Sequence, residues 1–213
     1  MSEGSDTVKV TSATPRRTQS ERRAATRGAL VAAARARFAE SGFAGVSREE
    51  IVEDAGVTRG AMYHYFASKE ALFEAVYEAV ESDLCDAVTV AAMTTADPVE
   101  QLRLGSVAFL RSAGTDEVRR IVLLDAPSVL NAEVRREIAE RYGLGLIREA
   151  LREIDAAGRL IVGPVEPLAL IMMSAMHDAA TQIADGADEA TLVALFEGLL
   201  DRITRRTAQR RAT

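Results

Sequence analysis

Residues 47–73 read SREEIVEDAGVTRGAMYHYFASKEALF, and the fold of the chain turns on how this stretch is punctuated. Ser47 stands three positions ahead of Glu50, the spacing at which a serine hydroxyl and a glutamate carboxylate each satisfy an orphan amide of a helix start. Ile51, Val52 and Ala55 recur at helical spacing and give this short helix an apolar side. Gly56 falls where a helix C-terminus calls for a left-handed residue, a conformation glycine adopts without steric cost. Thr58 then offers a second N-cap, and a second helix is expected from there to Tyr65 or Phe66. Two short helices joined by a tight glycine turn make a helix-turn-helix.

Ala61, Met62, Tyr65 and Phe66 supply the inward side of the second helix, which leaves Arg59, Gly60, Tyr63 and His64 near its start or pointing outward. A helix start carrying arginine and glycine approaches a base edge or phosphate closely, and Tyr63 and His64 have the donors for phosphate oxygens. The next helix opens Ser68-Lys69-Glu70, with Ser68 as its N-cap. Lys69 lies in the first turn, where the helix dipole disfavours a cation by roughly a few tenths of a kcal/mol. A phosphate against that helix end explains the lysine, and plain solvation explains it equally well.

Read together, Gly56-Val57-Thr58, Gly60, Tyr63, Tyr65-Phe66 and Lys69-Glu70-Ala71-Leu72-Phe73 resemble the DNA-binding segment of the TetR family of bacterial transcription regulators. The glycine turn, Y-x-Y-F and K-E-x-L-F in one register form the specific signal. With the helix before it, the similar region covers residues 20–75, about a quarter of the chain. The resemblance implies an all-α fold: a basic arm over 1–19, a three-helix DNA-binding domain over 20–67, and a helical ligand-binding and dimerisation domain over 68–213. It further implies double-stranded operator DNA, a second copy of the chain and a small apolar or amphipathic effector as partners, with no cofactor. Ser47, Arg48, Thr58, Arg59, Gly60, Tyr63, His64 and Lys69 are the expected DNA-binding residues. Arg48 and Arg59 are assigned to bases and most of the others to phosphates.

Composition agrees with that reading. The 213 residues are 48% apolar, include no tryptophan, and are rich in Ala, Leu, Glu and Arg, which favour helices. The single cysteine, Cys85, excludes an internal disulfide framework and fits a reducing cytoplasm. No signal-peptide pattern and no apolar run of spanning length are present, so neither export nor a membrane is expected. The net charge of −6 argues against a nucleic-acid partner until its distribution is read. Residues 1–45 hold eight Lys/Arg against four Asp/Glu, whereas residues 71–213 hold fifteen against twenty-three. A basic front on an acidic body suffices for phosphate binding, because salt screens charges beyond about 8–10 Å. Two histidines and one cysteine leave little for a metal site, and no H-E-x-x-H, G-x-S-x-G or glycine-rich phosphate loop occurs. An enzyme is not expected.

Residues 1–15 lack periodicity and read as a disordered tail. Arg16-Arg17 and Arg22-Arg23 follow, either as an arm for phosphates or the minor groove or as a solubilising segment. A first helix from Ser20 or Glu21 to Glu40 places Leu30, Ala34 and Phe38 on one side. Gly42 ends it, and Val46 staples the next helix. A fourth helix from Ser68 to Cys85 or beyond links the two halves. Asp97-Pro98-Val99-Glu100 opens a fifth. A shorter helix from Thr115 is expected to break at Pro127, and Asn131 to cap one long helix from Ala132 to Ala157, stopped by Gly158. Gly143 and Gly145 interrupt it, for close packing or for ligand room. Two last helices follow, to Asp185 and to Arg205 or Arg206. The basic end from Arg202 to Arg211 suits a helix C-terminus or a second arm.

The last two helices carry more apolar side chains than one core-facing stripe needs. The resemblance assigns them to a dimer interface, with Leu168, Ile171, Ala175, Leu192, Leu195, Phe196 and Leu199 as candidates. Met172, Met173, Met176 and His177, with Phe109, Tyr142 and Arg103, are candidates for the ligand pocket. Ordinary packing accounts for the same methionines, and a satisfied core position for His177. The function implied is a ligand-responsive regulator, most simply a repressor released from a palindromic operator by its effector. Two other readings use the same residues: a helical adaptor acting through protein partners, and a sequence-independent architectural DNA binder.

Overall fold

The computed structural model describes residues 18–205, so the expectations for the N-terminal tail, for Arg16-Arg17 and for the basic end beyond Arg205 lie outside the described residues. Helix α1 spans Gln19–Ser41 and is capped by Thr18, whose side chain accepts from the Glu21 amide while the Glu21 carboxylate returns to the Thr18 amide. The cap lies two residues before the expected start. Leu30, Ala34 and Phe38 are fully buried along one side. Helices α2 (Arg48–Asp54) and α3 (Arg59–Tyr65) form the expected pair, capped by Ser47 and Thr58. Gly56 between them has φ +62°, the left-handed turn that glycine serves.

Helix α4 runs unbroken over Lys69–Ala92, 24 residues or about 36 Å. Its first turns pack on α1 and the rest on α5 (Pro98–Ser112). The junction is aromatic. The Phe38, Phe43 and Phe73 rings stand 5.2–5.7 Å apart in tilted and edge-on contacts. Ion pairing reinforces it: Arg35 of α1 donates to Asp83 of α4 at 2.5 Å and to both Glu117 oxygens at 2.7 and 2.8 Å. The Phe43 amide donates to Asp125 at 2.7 Å. A single apolar cluster extends from Leu30 to Leu200.

Two expectations need correction in the middle of the chain. Val118–Asp125 is π-helical and passes directly into α6 (Ala126–Val129), so Pro127 lies in a first turn and breaks nothing. The Ala126 amide donates to the Ile121 carbonyl, so the chain is already helical where it reaches the proline. The expected long helix is two, α7 (Ala132–Arg141) and α8 (Gly143–Ala156), parted at Tyr142 with φ −115° and ψ −100°. The glycines follow from this bend. A Cβ on Gly145 would lie 2.8 Å from the Glu140 carbonyl oxygen, and one on Gly143 2.8 Å from Met173 Cε.

Helices α9 (Val165–Ala184) and α10 (Glu189–Ile203) complete the bundle. An antiparallel bridge between Leu160 and Thr204 ties the α8–α9 connection to the end of α10, with Arg205 N donating to Arg159 O at 2.7 Å. No pattern in the chain signals this bridge. Among the described residues, no helix is long and apolar enough to cross a membrane.

Phe73 is fully buried and touches both other rings of the junction. Phe73→Ala is therefore expected to lower unfolding free energy by about 3–5 kcal/mol, read from urea denaturation. A loss under ~1 kcal/mol would show that the aromatic junction carries little of the fold.

Candidate nucleic-acid interface and cavity

Met62 and Phe66 anchor α3 to the core, fixing which of its side chains face solvent. Arg59, Gly60, Tyr63 and His64 are exposed on that outer side. Arg59 forms an ion pair with Glu49 of α2, and Arg48 donates to the Tyr63 hydroxyl at 3.0 Å with its guanidinium 5.7 Å from the ring centroid. The two arginines are thus held side by side across the helix pair by exposed contacts of a kind that contribute roughly 0–1 kcal/mol and yield readily to a stronger partner. The space beside Gly60 is open, since nothing lies within 4 Å of where a Cβ would be. Internal packing therefore does not account for a glycine there. His64 lies edge-on to Tyr65, ring centroids 5.1 Å apart.

Ser47 and Thr58 are occupied as caps. The Ser47 hydroxyl accepts from the Glu50 amide at 3.2 Å and donates to the Glu50 carboxylate at 2.6 Å, and Thr58 Oγ1 accepts from Ala61 at 3.2 Å. Lys69 has partners within the protein. Its ammonium donates to the carbonyls of Phe43 and Val46, both at 2.8 Å, and lies 4.1 Å from the Phe43 ring centroid. Two of its three donors are taken inside the protein. The cation at a helix N-terminus is explained by the loop it fastens.

Behind this surface, α4, α5, α7, α8 and α9 line a cavity of about 200 Å³ whose lining is predominantly apolar. Four candidates from the sequence line it: Phe109, Met173, Met176 and His177. The other three do not. Arg103 joins α5 to α10 through Glu197 at 2.5 Å and pairs with Glu100 on its own helix. The Tyr142 hydroxyl reaches Glu78 at 3.4 Å, and Met172 is buried in the core away from the cavity. His177 stands perpendicular to Phe109, centroids 5.6 Å apart. Burial pushes its imidazole below the usual range, against the Met173 carbonyl that accepts from it.

The sequence reading missed the cavity's polar wall. Glu81 on α4 is 7% exposed, and burial pushes its carboxyl above the usual range, partly offset by the Tyr77 hydroxyl that donates to it. Its signal was a carboxylate on the same helical stripe as Tyr77 and Leu84. Cys85, Val88 and Ala92 continue the α4 wall.

On the outer face of α9 and α10, Ile171, Leu195 and Leu199 are 65%, 61% and 53% exposed, with Ala175 beside them. Leu170, not among the candidates, is exposed too. Phe196 instead points into the protomer core, and Leu168 and Leu192 are half-buried against it. The α10 periodicity places Phe196 and Leu200 inward and Leu195 and Leu199 outward.

Residues 30–76 match the family of bacterial regulatory proteins named for tetR, and residues 99–204 match the tetracyclin repressor-like C-terminal domain. The chain belongs to the TetR family. Its likeness to the solved structure of a TetR-family transcriptional regulator from Pectobacterium atrosepticum covers 90% of this chain and 100% of that one, with a TM-score of 0.76 and 29% identity. Among curated TetR-family relatives, the chain is 36% identical over 87 residues to the HTH-type transcriptional regulator AcrR of Shigella flexneri. It is 32% identical over 127 residues to CymR of Pseudomonas putida. These matches span 40% and 63% of the relatives' own lengths, and 40% and 58% of this chain. The relatives are named as regulators rather than enzymes.

Lys69→Ala leaves two part-buried carbonyls without their donor. The variant is expected to lose about 2 kcal/mol of unfolding free energy in the absence of DNA. A lysine serving phosphate alone would leave the urea midpoint unchanged.

Proposed function

We propose that this chain is a ligand-responsive transcriptional regulator, most simply a repressor. Its homodimer binds a palindromic operator in double-stranded DNA and releases it when a small apolar or amphipathic molecule fills the cavity. The observation that carries this reading is the course of α4. The helix begins at the aromatic junction with α1 and the α1–α2 loop, and further along it forms the cavity wall from Glu81 to Ala92. A ligand that displaces the wall moves the base of the reading head. A 100-fold loss of DNA affinity requires about 2.7 kcal/mol of coupling, well within what a filled cavity supplies.

In this reading, residues 20–67 are the DNA-binding domain and residues 68–213 the effector and dimerisation domain, with 1–19 as a basic arm. Arg48 and Arg59 exchange their exposed protein partners for base edges. Gly60 lets the backbone approach, and Tyr63, His64 and Thr58 position phosphates. Ser47 acts by starting α2, and Lys69 by holding the loop that orients it. The exposed strip of Leu170, Ile171, Ala175, Leu195 and Leu199 meets its own copy across a two-fold axis. Two recognition helices then reach successive major-groove faces, about 34 Å apart or a multiple of this. A regulator that acts on operator DNA without a membrane works in the cytoplasm.

Salt-dependent titration of DNA from the gene's own upstream region, against a scrambled duplex of equal length, tests the reading. The expected result is saturable binding of two chains to the upstream DNA alone, with Arg59→Ala reducing the preference between duplexes by roughly tenfold or more. Equal, salt-steep binding to both duplexes would indicate an architectural binder, and binding to neither an adaptor.

A further inference from the structure

The charged side chains that line the cavity share one sign. Its lining includes Glu81, Glu149 and Glu153, and neither lysine nor arginine. Glu149 and Glu153 are exposed, one helical turn apart on α8, and Glu149 has Arg152 at 3.8 Å on its solvent side. Glu81 is different: it is 93% removed from solvent and belongs to an otherwise apolar wall. Among the described residues the Tyr77 hydroxyl is the one donor directed at it, and no cation pairs with it. A buried carboxylate is costly unless it is neutralised by a proton or met by an opposite charge. The remaining surfaces suit a soft, apolar cation: the Met173 and Met176 thioethers are polarisable, and Phe109 offers a ring.

On the reading that this cavity is the effector site, we propose that its ligand is a lipophilic monocation, an aliphatic or benzylic ammonium whose hydrocarbon part fills the apolar space and whose charge settles against the Glu81 carboxylate. An anionic ligand finds no counter-ion in the lining and meets three carboxylates instead. A neutral one fills the space and leaves Glu81 as it was.

The pairing has a pH signature. In the empty cavity burial pushes the Glu81 carboxyl up, so at a pH low enough for it to carry a proton a permanent cation entering beside it expels that proton to the buffer. Affinity for the cation therefore rises as pH passes upward through and beyond the ordinary carboxylate range. The other groups packed around Glu81 do not reverse this sign. On α4, burial pushes both the Tyr77 phenol and the Cys85 thiol up, keeping them neutral. On α9, burial pushes His177 down, also toward neutrality. From α7 the Arg135 charge acts on Tyr77 and His177, and α5 brings no titratable group to the lining. The α8 rim contributes Glu149 and Glu153, which favour the same cation.

Isothermal titration of the full chain with benzyltrimethylammonium, its neutral carbon isostere neopentylbenzene, and the anion 4-tert-butylbenzoate tests the assignment. The expected result is binding of the cation at least tenfold tighter than of the isostere, no measurable binding of the anion, and a cation affinity that rises with pH through and beyond the ordinary carboxylate range. Glu81→Gln should abolish the preference for the cation while leaving the isostere within about twofold. The rim variant Glu149→Gln/Glu153→Gln should reduce cation binding only a few-fold, and it provides a second reading if the Glu81 variant folds poorly. Equal or tighter binding of the isostere or the anion, or a cation preference that survives in Glu81→Gln, overturns the proposal. DNA affinity measured in the same samples separates this claim from the regulatory one. Glu81-dependent cation binding without DNA release supports the ligand class and contradicts the regulator. DNA release by a neutral or anionic ligand alone does the reverse.

Discussion

The Lys69 ammonium lies in the first turn of α4 with the Phe43 and Val46 carbonyls 2.8 Å away and the Phe43 ring beside it. Repulsion from the helix N-terminus costs it about 0.3–1 kcal/mol, whereas each charge-assisted hydrogen bond returns roughly 1.5–3 kcal/mol. The bonds win. What they hold is the loop between α1 and α2, so the start of the helix-turn-helix is fastened to the start of α4. Phe38, Phe43 and Phe73 close the same junction from within, and Arg35 and Asp125 close it from the body side. Because α2 carries Arg48 and supports Arg59 through Glu49, the reading surface has its orientation set relative to α4.

That arrangement makes α4 mechanically informative. One straight helix contributes Phe73 to the junction and Glu81, Leu84, Cys85 and Val88 to the cavity. The π-helical segment Val118–Asp125 packs against α1, α4 and α9, giving the body a second contact with the head through Asp125. Motion of the wall has no soft joint within α4 to absorb it. The apolar strip on α9 and α10 lies outside this path, where a second copy would fix a reference against which the head moves.

The sequence revealed most where structure is decided locally. The caps at Ser47, Thr58, Ser68, Asp97 and Asn131 all accept from the amides expected of them, because capping needs only a short polar side chain and the next turn. It revealed least where a distant element decides. Gly143 and Gly145 marked an interruption between Asn131 and Gly158 but not a full break at Tyr142, and one of their two close contacts comes from Met173, on a helix still to follow. The acceptors of Lys69 stayed hidden because they are backbone carbonyls, which carry no signature in sequence. Phe196 read as an interface residue because α10 is apolar on two sides, and only packing shows which side is inward. Glu81 was visible as a carboxylate on an apolar stripe, but its meaning depended on the cavity that several helices build.

The central claim is that the cavity and the reading surface are coupled through α4. It is tested most directly by measuring the distance between the two reading heads of the dimer. Glu53 is exposed on α2. A spin label at Glu53→Cys, in a Cys85→Ser background, reports that separation by pulsed electron resonance. The account predicts one narrow distribution with operator DNA bound, and a shift of several ångströms when a cavity ligand releases the DNA. An unchanged distribution in a sample whose DNA has been fully released would contradict it.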